Sequence, residues 1–408
     1  MITIRPFQAL MPGDNVADVA AVPYDVVDRE QAAAQAEGQP LSFLRVSRSE
    51  IELPPETNPY DQAVYDLAVA NFAKLRGAAP LTHDAQPSLY AYAQTMGDHR
   101  QIGLVAAASV DDYDADRIKK HEKTRQAKED DRTTHTVRLR AHSGPVFLTC
   151  RDQDGLSATL AEIASGEALF DFVASDGVRH EVWRVPSETA AALVELFAGV
   201  PALYVADGHH RAKSASRTRE TFRAANPVHT GDEAYNYFLT VVFPGDQLAI
   251  LGYNRAVHDL NGLTPESFLE AISGEFVIAP AENAEPEAPG AVCMYLAGSW
   301  YLLRPRRGLD GLNVADALDV SVLQDRLLAL VLGIDDPRTS NRIDFVGGIH
   351  GTARLEELVD SGKASVAFSM HPVTVDELMG IADAGMIMPP KSTWFEPKLR
   401  DGLLVHTF

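Results

Sequence analysis

A run of five residues near the middle of the chain, Asp207-Gly208-His209-His210-Arg211, combines side-chain types that bind and move phosphate. A glycine lets the backbone turn sharply and approach a ligand closely, and an arginine guanidinium can hold phosphate oxygens through two hydrogen bonds. A histidine can donate to phosphate or exchange a proton near neutral pH. The run therefore favours phosphate chemistry, although a plain helix start flanked by surface histidines fits its spacing equally well.

Asp207 is the member of this run that phosphate binding alone does not explain, because a carboxylate repels phosphate. It would fit such a site by holding a magnesium ion or by accepting the proton of a hydroxyl group. It would also fit as a simple cap for the helix that follows. The residue types leave all three roles open.

The elements around the run would place it at the start of a helix. Residues 201–206 form a short apolar stretch typical of a buried strand, residues 208–226 are predicted to be a helix, and residues 237–243 the next strand. Backbone N–H groups in the first turn of a helix lack intrahelical partners, and the helix dipole adds positive charge there. An anion is favoured at such a position, and the strand–helix–strand order is typical of an α/β layer.

Basic residues cluster in three segments of a chain whose net charge is −21. The net charge is +5 over residues 117–140, +4 over residues 211–223 and +2 over residues 389–400. Each segment alone is typical of a solvated helix face with paired charges four residues apart. Together they favour a shared anionic ligand, since local positive charge concentrates the field where an anion binds. Residues 117–142 are predicted to be a helix, or a helix plus a loop.

Two acidic features lie in the first of these segments. Residues 121–125, with the sequence HEKTR, share only two positions with the HExxH motif, and the missing second histidine excludes a zinc protease. Glu122 could still serve as a base or a metal ligand, and a solvated pair with a neighbouring lysine explains it equally well. The acids at 129–131 could hold magnesium, but a charged helix surface is the better explanation.

Composition and missing motifs exclude several classes of protein. The strongly acidic balance disfavours DNA and anionic membranes as partners, and the longest apolar stretch, residues 327–334, is too short to span a bilayer. No GxxxxGK(S/T), no GxGxxG after a strand and no GxSxG occurs, which excludes P-loop and dinucleotide sites and weakens an α/β-hydrolase assignment. Cys150 and Cys293 form no CxxC pair, and no signal peptide pattern is seen, so a reducing, cytoplasmic location is expected.

Three further stretches carry a family resemblance that covers essentially the whole chain. Residues 22–26 read VPYDV, residues 121–124 read HEKT with Asp131-Arg132 nearby, and residues 388–393 read MPPKST. With the run at 207–211, these make the chain similar to the DUF1015 family of uncharacterised bacterial and archaeal proteins. The central run is also similar to the Gly-x-His-Arg element of the ParB/sulfiredoxin fold, which starts a helix and cradles nucleotide phosphates.

The resemblance implies a mixed α/β (α+β) fold with a ParB/sulfiredoxin-like core, large insertions and an additional C-terminal α/β region. Residues 1–279 would form the catalytic region with its insertions, and residues 291–408 the C-terminal region. Between them, residues 280–290 are rich in proline and glutamate and are predicted to be a linker or an exposed loop.

In function, the resemblance implies phosphotransfer on serine or O-phosphoserine, by a serine kinase or a phosphoserine phosphatase, since genes of this family often lie beside serine-biosynthesis genes. ATP or ADP would donate or accept the phosphate, and Mg²⁺ could assist. The alternative is a nucleotide-binding, ParB-like regulatory or DNA-responsive protein without catalysis. A sulfiredoxin-like reductase is disfavoured because no cysteine lies near the run at 207–211. The chain could also form oligomers.

Candidate site residues follow from these arguments and matches. We expect the catalytic residues to be Asp207, His209, His210 and Glu122. We expect phosphate or nucleotide contacts from Gly208, His209, His210, Arg211, His121, Thr124, Arg125, Arg132 and Lys391. Tyr24 and Asp25 would contact the substrate, and Asp207 would hold any magnesium ion.

Overall fold

The computed structural model describes residues 1–78, 81–151, 153 and 155–408. These residues form two units that we describe separately. The first unit contains Met1–Leu248 and Pro397–Phe408, and the second contains Ala249–Glu396.

The apolar and alternating runs of the sequence form strands, and the longer amphipathic runs form helices. The strands in chain order are β1 Ile4–Arg5, β2 Leu10–Met11, β3 Thr82–His83, β4 Tyr90–Met96, β5 His99–Ser109, β6 Ile118–Lys119, β7 Ala141–His142, β8 Val146–Cys150, β9 Phe170–Val173, β10 Arg179–Arg184, β11 Leu203–Asp207, β12 Tyr237–Pro244, β13 Ala249–Leu251, β14 Tyr253–Val257, β15 Phe276–Pro280, β16 Val292–Leu296, β17 Ser299–Pro305, β18 Ile343–Gly347, β19 Val366–Met370, β20 Trp394–Glu396 and β21 His406–Thr407. The α-helices are α1 Val16–Val19, α2 Arg29–Ala36, α3 Leu44–Ser47, α4 Gln62–Ala78, α5 Val110–Asp114, α6 Gln126–Leu139, α7 Leu156–Ile163, α8 Ser187–Gly199, α9 His209–Ala225, α10 Pro265–Ile272, α11 Asp319–Leu323, α12 Ala353–Asp360 and α13 Val375–Asp383. Short 3₁₀ turns occur at Ser49–Glu52, Ala234–Asn236, Gly245–Gln247 and Gly348–His350, and a π turn at Gln324–Ala329.

A mixed sheet forms the centre of the first unit. Its strand order is β6-β11-β8-β12-β5-β4-β10-β9, with β1 paired to β5. The pairs β11–β6 and β12–β8 are parallel, and the other pairs are antiparallel. β8 and β12 are buried along their whole lengths, as expected for strands covered on both faces. The α/β fold class predicted from the sequence is confirmed.

A second apolar cluster lies in the first unit, away from the central sheet core. It joins residues of the N-terminal helices, such as Phe43 and Phe72, to Leu139 at the end of α6 and to Val405 near the end of the chain. The segment before α6 contains the short strand β6 and a loop. Residues 117–142 are therefore the helix plus loop that the sequence allowed, and α6 contributes Leu139 to this cluster while its other buried residues are polar.

The second unit contains an antiparallel sheet of order β15-β17-β16-β19-β14-β18. Its helices α10 and α13 begin with capping boxes, in which Thr264 and Thr374 accept from the third helical residue. α12 packs on the sheet through Leu355 and Leu358. Among the described helices of both units, none is long and apolar enough to cross a membrane.

The two units of the structure differ from the two predicted regions, whose boundaries lie at residues 279 and 291. Residues 280–290 connect β15 to β16, and both of these strands pair with β17. Proline and glutamate there mark a loop within one sheet, because loops and linkers share the same composition. The last twelve residues return to the first unit through backbone hydrogen bonds such as those between Ala21 and Asp401. Such long-range pairing leaves no local trace in the sequence.

Buried histidines should make the stability of the first unit depend on pH. Burial lowers the pKa of His135 and His406 to about 4 and that of His142 and His180 to about 3. Each takes up a proton on unfolding, so its contribution is complete above about pH 6.5 and declines as pH falls toward the folded pKa. We expect the free energy of unfolding to fall by up to about 1.4 kcal/mol per pH unit for each histidine between pH 6.5 and 4.5.

The variant His142→Phe isolates one of these protons. His142 stacks on His406, and its Nε2 has no hydrogen-bond partner, so a phenyl ring can replace it without losing a bond. Urea unfolding at several pH values gives the slope of the free energy of unfolding against pH. In the variant, this slope should fall by about the contribution of one histidine proton. The matched control is His350→Phe, at an exposed position of the second unit, which should leave the slope unchanged. Equal slopes for His142→Phe and the unaltered protein would contradict the prediction.

Candidate functional site

The turn between β11 and α9 depends on a glycine at its sharpest position. β11 ends at Asp207, Gly208 adopts φ 93° and ψ 30°, and α9 begins at His209. This left-handed region is readily adopted by glycine. The first helical hydrogen bond runs from the Ala212 N–H to the Gly208 carbonyl at 2.9 Å, so the N–H groups before it have no intrahelical partner. The structure therefore contains a helix start of the kind that favours anions.

Asp207 is held as a carboxylate by two neighbours. Its Oδ1 accepts the N–H of Gly208 at 2.7 Å, and its Oδ2 lies 3.2 Å from Lys398 Nζ. Burial alone would raise its pKa, but the charges of Lys398 and Arg211 outweigh burial and hold the pKa well below its usual range. Gly208 occupies the cap position of α9, so the sequence alternative in which Asp207 is a simple cap is wrong.

The structure offers no group of metal ligands around Asp207. In the described part of the chain, no three His, Cys, Asp or Glu side chains are arranged to hold a metal ion. The acids at 129–131 pair instead with Thr124, Arg217 and Arg132. These acids therefore have partners within the protein, but Glu129 and Asp131 are buried, so the predicted charged helix surface is wrong for these two residues. Magnesium at Asp207 would need most of its ligands from a bound phosphate and from water.

Arg211 lies against the Gly208 turn. A methyl group at position 208 would sit 3.1 Å from Arg211 Nε, so the glycine also makes room for the guanidinium. Arg211 Nη1 donates to the Pro145 carbonyl at 2.6 Å, while Nε is buried and has no hydrogen-bond partner in the described ranges. Burial opposes the charge, but the carboxylates of Asp25 and Asp207 raise the pKa of Arg211 above its usual value. A permanent positive charge with an unused donor thus lies at the helix start.

Two histidines meet edge to face beside the turn. The ring centres of His121 and His209 are 4.4 Å apart, the rings are nearly perpendicular, and both residues are buried. Burial lowers the pKa of His209 to about 4 and that of His121 well below its usual value. His121 Nδ1 and His209 Nε2 have no hydrogen-bond partner among the described residues, and His209 Nδ1 lies 4.0 Å from a Glu122 oxygen. Near neutral pH these rings are uncharged, so they can contribute hydrogen bonds but no charge.

His210 fastens the loop before α6 to the start of α9. Its Nε2 accepts the backbone N–H of Arg125 at 3.1 Å, so the neutral ring carries its proton on Nδ1. Burial lowers the pKa of His210, against the opposing effect of Glu122. The nearby Thr124 hydroxyl donates to Glu129, and the predicted contact of Thr124 with phosphate would require that bond to break. Arg125 reaches the site through its backbone.

Tyr24 and Arg132, both predicted site residues, form a cation–π pair. The Arg132 guanidinium lies 4.1 Å from the centre of the Tyr24 ring. Its Nε donates to Asp131 at 2.9 Å, and the Tyr65 hydroxyl donates to the same carboxylate at 3.0 Å. Asp25 is exposed, and its charge acts on the arginine in the first turn of α9. The segment at 22–26 therefore lies beside the helix start, as the predicted substrate role requires.

The first two basic segments lie in the first unit, and many of their charges are paired. Carboxylates pair with Arg117, Lys120, Arg132, Arg138, Arg217 and Arg219. In the third segment, Lys391 belongs to the second unit, where its Nζ lies 5.4 Å from the centre of the Tyr253 ring. The net positive charge of the first two segments is therefore partly neutralised where it lies, which weakens the argument for an anion that they share.

Two site residues, Lys398 and Asp401, come from the last twelve residues of the chain. From the sequence, Lys398 is predicted only as part of a basic segment, and no sequence argument points to Asp401. Asp401 is 2% exposed, and burial raises its pKa to about 7 despite the nearby charge of Arg211. The signal that could have found them is the run PKLRDG at 397–402, in which a lysine and an acid precede a glycine turn.

Replacing Gly208 by alanine should weaken both the fold and the binding of an anion. The substitution would force a left-handed backbone on a residue with a Cβ atom and would press on Arg211. We expect the free energy of unfolding to fall by about 1–2 kcal/mol, with a several-fold loss of affinity for inorganic phosphate. The matched control is Gly199→Ala at the end of α8, where nothing lies within 4 Å of the added methyl group. Urea unfolding and calorimetric titration measure the two effects, and equal results for both variants would contradict this role of Gly208.

Comparison with known proteins gives one sequence family and several solved structures. Free serine kinase in complex with AMP is 13% identical, with a TM-score of 0.37 and coverage of 72% of this chain and 86% of that chain. SbnI with a C-terminal truncation, from Staphylococcus aureus, is 13% identical, with a TM-score of 0.38 and coverage of 73% and 85%. A conserved hypothetical protein from Pyrococcus furiosus is 14% identical, with a TM-score of 0.34 and coverage of 73% and 93%.

No curated protein matches the sequence significantly. Residues 4–321 match the family model described as a protein of unknown function, DUF1015. This match spans well over half of the sequence and includes the Gly208 turn, the HEKT loop and the segment at 22–26. The chain therefore belongs to the DUF1015 family.

Proposed function

We propose that this protein binds the phosphates of a nucleotide at the Gly208 turn and transfers a phosphoryl group to or from a small hydroxy-amino acid, serine or O-phosphoserine. One observation carries the proposal. At the start of α9, His209 Nε2 is buried without a hydrogen-bond partner among the described residues, the N–H groups before Ala212 have no intrahelical partner, and the Arg211 guanidinium adds positive charge. Leaving buried polar atoms unpaired is costly, and a bound oxyanion would pair them.

The arrangement suits phosphoryl transfer because that reaction needs positioning and charge neutralisation more than covalent chemistry. The N–H groups that follow Gly208 and the guanidinium of Arg211 would hold phosphate oxygens. His209 would add a neutral hydrogen bond from Nε2, because its lowered pKa keeps the ring uncharged. Glu122, close to His209, remains the predicted base.

Asp207 takes a different role in this proposal from the one the sequence suggested. Its oxygens already bind Lys398 and the Gly208 N–H, so it fixes the positive groups around the turn. Magnesium, if used, would arrive with the nucleotide and neutralise phosphate charge. The residues present thus fit a phosphate group better than a resident metal ion.

The finer parts of the proposal rest on the family resemblance and on the sequence. These are the choice of serine, the ParB/sulfiredoxin-like ancestry of the fold and the direction of transfer. Cys150 and Cys293 are buried and form no disulfide bond among the described residues, which supports the proposed reducing, cytoplasmic location. The alternative of a nucleotide-binding regulator predicts the same binding without turnover.

The test combines a binding and a turnover measurement on the full chain. Calorimetric titration with ADP, ATP and inorganic phosphate, with and without Mg²⁺, should show affinity for at least one of them. Phosphorus NMR of serine with ATP or ADP, and of O-phosphoserine alone or with ADP, should then show transfer or hydrolysis. Binding without turnover in any mixture would favour the regulator, and absence of binding would overturn the proposal.

A further inference from the structure

A small polar cavity lies beside Arg211 within the first unit. Its volume is about 30 Å³, enough for a water-sized group rather than for a whole substrate. The polar side chains that line it include Tyr24, Arg132, His135, His142, Arg211 and Asp401. The lining thus contains the guanidinium of Arg211 and the carboxylate of Asp401.

Two atoms in the cavity wall have no hydrogen-bond partner within the part of the chain that the structure describes. Arg211 Nε is a donor, and Asp401 Oδ1 is an acceptor when the acid is ionised; both atoms are buried. Asp401 is packed against the backbone of Gly144, since a methyl group there would lie 2.1 Å from Oδ1. A group that accepts from the guanidinium and donates to the carboxylate satisfies both atoms. A hydroxyl group or a water molecule does so, while phosphate cannot donate in its ionised form.

We propose that this cavity is the acceptor subsite of the phosphoryl-transfer reaction, holding the attacking O–H group between Arg211 Nε and Asp401 Oδ1. The inference rests on the proposed function and assigns the role of base, predicted there for Glu122, to Asp401 instead. The oxygen of the O–H group forms a bond to phosphorus as the bond from phosphorus to the leaving oxygen breaks. Asp401 takes the proton, and the electron pair of the broken bond stays on the leaving nucleotide or serine oxygen.

Asp401 is suited to this step by its surroundings. Arg132, Arg211 and Arg400 lower its pKa and Asp25 raises it, but burial is the largest effect and brings the pKa to about 7. Burial lowers the pKa of the two wall histidines, His135 and His142, to about 4 and about 3, so both are neutral near pH 7. A base whose pKa lies near the working pH removes a proton most effectively.

The attacking O–H group comes either from serine or from water, and the subsite fits both. If the acceptor is the serine hydroxyl, serine with ATP or ADP yields O-phosphoserine. If the acceptor is water, O-phosphoserine in ¹⁸O-labelled water yields labelled inorganic phosphate. Phosphorus NMR distinguishes these two products in the unaltered protein before any variant is compared.

The closing experiment compares Asp401→Asn with the unaltered protein across pH 5–9. We expect turnover to fall by about 100-fold or more. We also expect the limb of its pH profile that rises toward pH 7 to disappear. Affinity for ADP should be unchanged or higher, because the variant removes negative charge near Arg211. The matched control is Asp176→Asn, because Asp176 pairs with Arg400, the residue before Asp401, and lies outside the cavity. Turnover and its pH limb should persist in this variant.

Gly144→Ala provides a second variant that keeps the carboxylate and displaces it. It should also lower turnover while ADP still binds, and thermal unfolding verifies that each variant is folded. If Asp401→Asn and Gly144→Ala both retain turnover and the pH limb, the subsite assignment is overturned while the proposed function stands. If the unaltered protein produces neither product, the proposed function fails and the subsite fails with it.

Discussion

Replacing Arg211 by alanine is expected to lower the affinity for ADP or inorganic phosphate by about 100-fold. Two hydrogen bonds from a charged guanidinium to phosphate oxygens contribute about 3 kcal/mol. Nη1 is already bound to Pro145, so the guanidinium is held in place before a ligand arrives. Arg211→Lys should recover only part of the affinity, because an ammonium group cannot reproduce the planar fork. Calorimetric titration with ADP at low and high salt measures both variants.

Two controls separate binding from folding in this experiment. Arg223→Ala removes an exposed arginine from the last turn of the same helix, and it should leave the affinity for ADP unchanged. Arg211→Lys keeps a positive charge beside the carboxylates of Asp25 and Asp207. Comparing it with Arg211→Ala shows whether a loss of binding comes from the lost guanidinium contacts or from the uncompensated negative charge of these carboxylates. If both Arg211 variants bind ADP as tightly as the unaltered protein, Arg211 does not contact the phosphates.

Replacing Asp207 by asparagine should cost about 2–3 kcal/mol in free energy of unfolding at pH 7. The side chains of Asp207 and Lys398 are 29% and 14% exposed, so removing one partner leaves the other charge poorly solvated. The pKa of Asp207 is lowered in the fold, so its contribution is present above about pH 4 and is lost only as pH falls further. Neutral pH is therefore the right condition for the measurement.

The double variant Asp207→Asn, Lys398→Met should recover much of this loss, because it removes both charges together. Urea unfolding of the two single variants and the double variant forms a cycle that measures the coupling directly. The matched control is Asp232→Asn, since Asp232 lies 3.0 Å from Arg5 in an exposed pair with 80% of its side chain accessible. That variant should change stability by less than about 0.5 kcal/mol. Additive losses in the cycle would show that Asp207 and Lys398 are not coupled.

The Gly208 turn and its helix could be predicted because their determinants are local. An apolar strand, a glycine and a polar helix follow one another in the sequence, and the conformation of each depends on near neighbours. The positions of His209, His210 and Arg211 at the first turn follow from that order alone. The α/β class could be predicted for the same reason, since the alternation of short apolar runs and amphipathic stretches reports local structure.

The roles of individual side chains in the site could be predicted less well. For Asp207 the sequence left metal binding, proton transfer and capping open, and only the structure shows that its oxygens bind Lys398 and the next N–H. The acids at 129–131 and several basic residues near them form ion pairs that depend on how α5, α6 and α9 pack together. Charges counted along the chain could not show which of them would be neutralised by a distant partner.

By itself, the sequence determined the family, the α/β class, the acidic character and the helix start at which an anion is favoured. The tertiary structure alone decided that the end of the chain returns to the first unit and brings Lys398 and Asp401 to Asp207 and Arg211. It also decided which site atoms remain unpaired. Both depend on contacts between residues far apart in sequence, and the burial that raises the pKa of Asp401 to about 7 exists only after those contacts form.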